Sequence, residues 1–101
     1  MSESLNRLVE WYCGYCDGLW EHSYGISIET LDNPGFRVEI NLVGTDLEHL
    51  PFQAIDLEMD PDGEGEWISC SKSDDARWLG ACSPRSLDQT LKIFLDWSSA
   101  K

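Results

Sequence analysis

The sequence lacks the patterns that mark most enzymes. Its 101 residues contain no phosphate-binding loop, no dinucleotide-binding glycine fingerprint and no paired metal motif, and only two of them are histidines. Bases are also scarce, since 7 Lys and Arg stand against 19 Asp and Glu, which gives a formal net charge of −12. Such a field repels nucleic acids and anionic lipids, so neither a nucleic acid nor a membrane is an expected partner.

Long apolar runs are missing as well. Charges or turn residues interrupt each hydrophobic stretch before it reaches the ~18 residues of a membrane helix, and the first seven residues do not form a signal peptide. We therefore expect a cytoplasmic protein whose four cysteines are reduced thiols. The length fits one domain over residues 1–101, and 42% hydrophobic residues suffice for a folded core.

The hydrophobic periodicity predicts a helix, five strands and a second helix. Apolar residues recur every three or four positions from Ser4 to about Tyr15, whereas residues 16–25 have no period and are expected to form an ordered loop. The period then changes to two, which predicts strands over 26–31, 36–42 and 55–60, and β-compatible residues between turn formers predict two more over 67–71 and 77–82. Ser83 as N-cap and Pro84 at the first position predict a helix that reaches about Trp97.

This order of elements predicts an α+β fold. We expect a mostly antiparallel sheet of about five strands, arranged as a meander, with the N- and C-terminal helices packed on one face. The segment Asp32-Asn33-Pro34-Gly35 predicts a type II turn between the first two strands.

Acidic residues are concentrated in the middle of the chain. Eleven acids and one base lie between Glu29 and Glu66, which places ten of the twelve net negative charges there. If the apolar residues of the strands face the helices, the alternate acids project from the opposite face. They would form one contiguous negative patch that binds a basic partner, namely Glu29, Glu39, Asp56, Glu58 and Asp60. The alternative is that these charges only solvate an open sheet face.

The loop after the first helix holds further candidates. Trp20 lies in an irregular segment, so we expect part of its ring to reach solvent beside Glu21 or His22 and to anchor an interface. The alternative is that the ring belongs to the core. A triad of Asp17, His22 and Ser23 or an enzyme based on His22 and Glu21 is conceivable, but no nucleophile elbow surrounds the serine.

The cysteines offer a different class of function. Cys13 and Cys16 have the spacing of redox and zinc motifs, although a helix C-terminus does not stabilise a thiolate. Cys70 and Cys82 are not a close pair, although neighbouring strands could bring them together. A small thiol or zinc-binding protein that uses Cys13 and Cys16, with Cys70 and Cys82, is therefore the alternative to a binding module.

A series of short elements runs along the chain. They are Trp11-Tyr12, Cys16-Asp17-Gly18, Trp20-Glu21-His22, Tyr24-Gly25-Ile26 and the turn segment 30–35, followed more loosely by Trp67, Cys70, Gly80-Ala81, Pro84, Leu87, Phe94 and Trp97. Together they resemble the immunity protein 53 family of bacterial polymorphic toxin systems. The resemblance implies an antidote that binds a cognate toxin domain, needs no cofactor and performs no chemistry. It also implies that Asp17, Trp20, Glu21 and His22 contact the partner or hold the loop in shape.

Overall fold

The computed structural model describes residues 3–32, 34–58 and 66–99. The elements in chain order are α1 (Glu3–Tyr15), α2 (Trp20–Ser23), β1 (Ile26–Leu31), β2 (Gly35–Asn41), β3 (Ile55–Glu58), β4 (Trp67–Lys72), β5 (Arg77–Cys82), a 3₁₀ turn (Pro84–Ser86) and α3 (Leu87–Ser99). The predicted α+β class, with five antiparallel strands and two terminal helices, is confirmed. The short helix α2 lies in the segment for which an irregular loop was expected.

The strand order corrects the expected meander. All neighbouring strands are antiparallel, but their order is β1-β2-β5-β4-β3, so β5 lies between β2 and β4. Residues 42–54, which we call the crossover, carry the chain from β2 to the far edge of the sheet. The inner rows of β2 and β5 lie at the centre of the core, where Ile40 pairs with Trp78 and both are completely buried. β3 has a weaker inner row, since Leu57 is exposed.

The core lies between one face of the sheet and the two long helices. Alternate residues of the three central strands are buried beneath residues of α1 and α3, as the period of two predicted for β2. The buried apolar residues include Val38, Ile40, Ile68, Cys70, Trp78, Cys82, Leu8, Leu91, Phe94 and Leu95. Gly80 makes room for the Trp78 ring, because a Cβ at this position would lie 2.9 Å from that ring. A residue without a side chain is therefore needed at this position in the centre of β5.

The crossover is fastened to the sheet by Lys72. Its Nζ donates hydrogen bonds to the carbonyl oxygens of Leu47 at 3.2 Å, Glu48 at 2.8 Å and Leu50 at 2.6 Å. The indole N–H of Trp97 donates to the Pro51 carbonyl at 2.9 Å. Because the crossover has no strand partner, these side chains replace the ladder bonds that would otherwise hold its backbone.

The start of the last helix differs in detail from its expected form. The chain first makes the 3₁₀ turn at Pro84 and becomes α-helical at Leu87. The Ser83 hydroxyl makes no capping bond; it donates to the Glu66 carboxylate and accepts from the Trp67 N–H.

The expected type II turn between β1 and β2 includes Asn33, which lies outside the described residues. None of the helices in the described ranges is long and apolar enough to cross a bilayer.

Candidate partner-binding surface

The loop between α1 and α2 is closed by two carboxylates. Asp17 Oδ1 accepts the N–H groups of Leu19 and Trp20, both at 2.9 Å, while the Glu21 carboxylate accepts those of Asp17 at 3.0 Å and Gly18 at 2.9 Å. Gly18 permits this tight path because its φ is +93°. The sequence favours the loop because an acid at each end can satisfy backbone donors that the chain itself leaves open.

These hydrogen bonds also set the acidity of the loop. The pKa of Asp17 is lowered chiefly by the N–H of Trp20 and then by that of Leu19. The pKa of Glu21 is lowered by backbone N–H groups, its own first and then that of Gly18. Both carboxylates are therefore ionised and accept backbone hydrogen bonds within the loop, which supports a structural role for them. A role of Asp17 and Glu21 in contacting a partner stays a prediction.

Trp20 does not present its ring to solvent, so the expectation of an exposed anchor is wrong. The residue is only 7% exposed, and its indole N–H donates to the Val43 carbonyl in the crossover at 2.8 Å. Four other aromatic rings surround it at centroid distances of 5.8–6.3 Å, those of Trp11, Tyr12, Tyr15 and Tyr24. The ring joins α1, α2 and the crossover, which a solvent-exposed position could not do.

His22 is exposed on α2. Within the described ranges no hydrogen bond joins His22 to Asp17 or Ser23, so the conceivable triad is not assembled, and Asp17 is occupied by the backbone. The sequence did not single out Leu19, which is 77% exposed beside this loop. Leu19 and His22 are thus exposed side chains of this segment that a partner could contact, beside the exposed Asp17, Ser23 and Tyr24.

The four cysteines lie in two unlike environments. Cys13 is exposed and Cys16 donates its thiol to the Tyr12 carbonyl at 3.4 Å, whereas Cys70 and Cys82 are buried in the core. Burial raises the pKa of the Cys70 thiol to about 12 and also raises that of Cys82. All four thiols are free, and in the described ranges no group of three or more His, Cys, Asp or Glu side chains could hold a metal ion.

The expected acidic patch is divided by the strand order. Glu29 on β1 and Glu39 on β2 lie near one edge of the sheet, whereas Asp56 lies on β3 at the other edge. Three strand spacings separate β2 from β3, which is ~14 Å. The prediction of one contiguous patch is therefore wrong, because it assumed that β3 lies next to β2 in the sheet. Asp60 lies outside the described residues, as does the side chain of Glu58.

The acids differ in how far they are neutralised. Glu39 accepts Arg77 Nη1 at 2.6 Å and lies 3.5 Å from Arg37 Nη2, and Arg77 also reaches Asp75 at 3.2 Å. Glu29 and Asp56 are exposed and take part in none of these ion pairs. Between them the outer face of β4 and β5 carries uncharged side chains at Ser69, Ser71, Leu79 and Ala81, together with the ion-paired Arg77. The outer face thus has two acidic edges, at Glu29 and Asp56, with the ion pairs of Glu39 and a row of uncharged side chains between them.

An apolar groove between α1 and β1 was missed by the sequence analysis. It encloses about 420 Å³ and is lined by residues that include Leu5, Leu8, Val9, Tyr12, Tyr24 and Ile28. Val9 is 44% exposed, and Tyr24 and Ile28 are each 38% exposed. Val9 belongs to the apolar period of α1 and Ile28 to that of β1, but β1 is an edge strand, so the helices cover its inner row incompletely. The edge position of β1 was the missing information.

The comparison with known proteins agrees with the earlier resemblance. The chain matches the family model described as Immunity protein 53 over residues 5–99, which is nearly its whole length. No curated protein and no solved structure gives a significant match. The matched range includes both long helices and all five strands. The chain therefore belongs to the immunity protein 53 family.

Proposed function

We propose that the protein is the cytoplasmic antidote of a bacterial polymorphic toxin system. It binds a cognate toxin domain and blocks that domain without chemistry of its own. The observation that carries this proposal is the family match over residues 5–99. The charge supports it, because a net −12 complements a basic toxin of the nuclease type.

The two acidic edges of the sheet supply the steering charge. Glu29 and Asp56 are exposed and lack the arginine partners that neutralise Glu39, so their field extends into solvent. Steered complexes associate at ~10⁸ M⁻¹s⁻¹ or faster at low salt, against ~10⁵–10⁶ for neutral pairs. Screening removes this advantage as the Debye length falls to ~8 Å at physiological salt. The acids therefore act mainly on the rate of capture.

Protection of growing cells tests the function directly. The toxin domain encoded by the gene immediately upstream is expressed from an inducible promoter, with and without this chain, and growth is recorded. We expect the chain to restore growth and to bind the purified toxin domain in isothermal titration calorimetry. A toxin domain that the purified chain does not bind, and against which it gives no protection, would refute the proposal.

Charge reversal tests the steering mechanism. The double variant Glu29→Lys and Asp56→Lys is compared with a control of equal charge change, Asp88→Lys and Asp96→Lys, at exposed positions of α3. We expect the edge variant to slow association with the toxin at least about tenfold at low salt and to flatten its salt dependence. Equal slowing by both variants would mean that only net charge matters. If the edge variant associates with the toxin at an unchanged rate, the acids serve only to keep the protein soluble and the steering mechanism is refuted.

A further inference from the structure

One side of β1 has no strand beside it. β1 stands at the end of the sheet and pairs with β2 alone in the described part of the chain. The Asn41 N–H donates to the Gly25 carbonyl at 2.9 Å, which makes this a hydrogen-bonded pair just before β1. Because such pairs alternate along an antiparallel ladder, every second residue of β1 directs its N–H and C=O groups to the open side. These residues are Ile26, Ile28 and Thr30.

The apolar groove lies directly beside this open edge. Ile26 and Ile28 line it from the strand, and Val9 and Tyr12 line it from α1. A further strand that paired with β1 would place alternate side chains over the groove, since successive side chains point to opposite faces. The groove therefore gives such a strand one apolar row of contacts in addition to the backbone hydrogen bonds.

The other face of β1 carries negative charge. Glu29 is exposed there, and the neighbouring Arg37 is paired with Glu39 and not with Glu29. An added strand would thus meet an acidic side chain on the face away from the groove. A partner strand with Lys or Arg in that row is complementary, whereas a second copy would bring two chains of charge −12 together.

We infer that an extended segment of the toxin pairs with the open edge of β1 as a sixth strand. Its residues alternate between apolar side chains that lie in the groove and basic side chains that face Glu29. This inference rests on the proposed function and specifies how the toxin is held. It also explains why apolar residues at 9, 24 and 28 stay exposed at an edge that would otherwise favour aggregation.

A proline at position 28 tests the pairing. Ile28→Pro removes an N–H that points to the open side and leaves the ladder to β2 intact, because Ile28 belongs to a pair without hydrogen bonds. The matched control, Ile28→Val, keeps the N–H and most of the apolar surface. With the toxin domain encoded upstream as the probe, we expect at least about tenfold weaker binding for the proline variant and less than threefold for the control.

Amide hydrogen exchange on the unmodified chain is the second measurement, and it decides the question if the proline variant does not fold. We expect the amides of Ile28 and Thr30 to become protected at least about tenfold when the toxin domain binds. Toxin binding without this protection, or with full affinity for Ile28→Pro, overturns the inference and leaves the proposed function standing.

Two other outcomes are also decisive. Absence of toxin binding by the unmodified chain overturns both proposals together. A dimer of the isolated chain in sedimentation equilibrium that Ile28→Pro dissociates assigns the edge to a second copy, and this result overturns the toxin strand as its occupant.

Discussion

Replacement of Lys72 by methionine is the sharpest test of what holds the crossover in place. The Nζ atom donates to three backbone carbonyls of the crossover and lies 6.0 Å from the centroid of the Trp97 ring. Methionine keeps an unbranched apolar stem at this position but has no donor. Lys72→Met therefore removes the three hydrogen bonds while most of the packing is retained.

The expected cost follows from the number and kind of these bonds. A hydrogen bond from a charged donor contributes ~1.5–3 kcal/mol. Lys72 is only half-buried, and water replaces part of what is lost, so we expect about 2 kcal/mol for the three bonds together. For a domain of this size the melting temperature falls by about 4 °C per kcal/mol, hence by about 8 °C. Urea unfolding and differential scanning calorimetry measure both quantities.

The control is Lys92→Met, which removes the same charge from an exposed position of α3. We expect it to change the free energy of unfolding by no more than ~0.5 kcal/mol. Amide exchange should also become faster in residues 42–54 of the Lys72 variant and not elsewhere. If both variants have the same stability and the same exchange, the ammonium does not stabilise the crossover and the argument fails.

Further predictions concern four other positions. Gly80→Ala should destabilise the fold by ~1–3 kcal/mol, because its Cβ would lie 2.9 Å from the Trp78 ring, while Gly14→Ala, with open space around it in α1, should be neutral or stabilising by up to ~1 kcal/mol in the same urea titration. Trp20→Phe keeps a ring but loses the hydrogen bond to the crossover carbonyl, so its unfolding midpoint should fall by an amount equivalent to ~1 kcal/mol. The lowered pKa of Asp17 means that its contribution is complete above the ordinary carboxyl pKa and is lost as the pH falls through the lower folded-state value. Asp17→Asn should therefore make stability less dependent on pH below about pH 4, and an equal acid dependence of both proteins would contradict this.

The sequence was sufficient for the two long helices and the five strands, but not for the short helix α2 or for the arrangement of the strands. Helix α1 and the hairpin of β1 and β2 follow from apolar periods and turn residues, which are local properties. The position of β5 depends on a pairing between residues far apart in the chain, such as Ile40 with Trp78. The spacing of apolar residues along the chain does not specify which strands pair. The meander and the contiguous acidic patch were both predicted from the order of the strands in the chain, and both predictions are wrong for that reason.

In the candidate site, too, contacts between residues close in the chain could be predicted, whereas contacts between distant residues could not. The sequence marked Asp17 and Glu21, and their hydrogen bonds indeed close the loop within four residues. The prediction for Trp20 was wrong because this side chain packs against the crossover, where its indole N–H donates to the carbonyl of Val43, 23 residues further along the chain. The groove was overlooked for a related reason, since only the strand order makes Ile28 part of an edge.

The insertion of β5 has a consequence for the order of events during synthesis. The β1–β2 pair and the β3–β4 pair each join segments that are close in the chain, but no ladder connects β2 directly with β4. β5 forms ladders to both, so the two halves of the sheet stay separate on the ribosome until Arg77–Cys82 has emerged. Until then the inner edges of β2 and β4 are open to pairing with other nascent chains. The sheet is completed by a strand that is synthesised after all of the others.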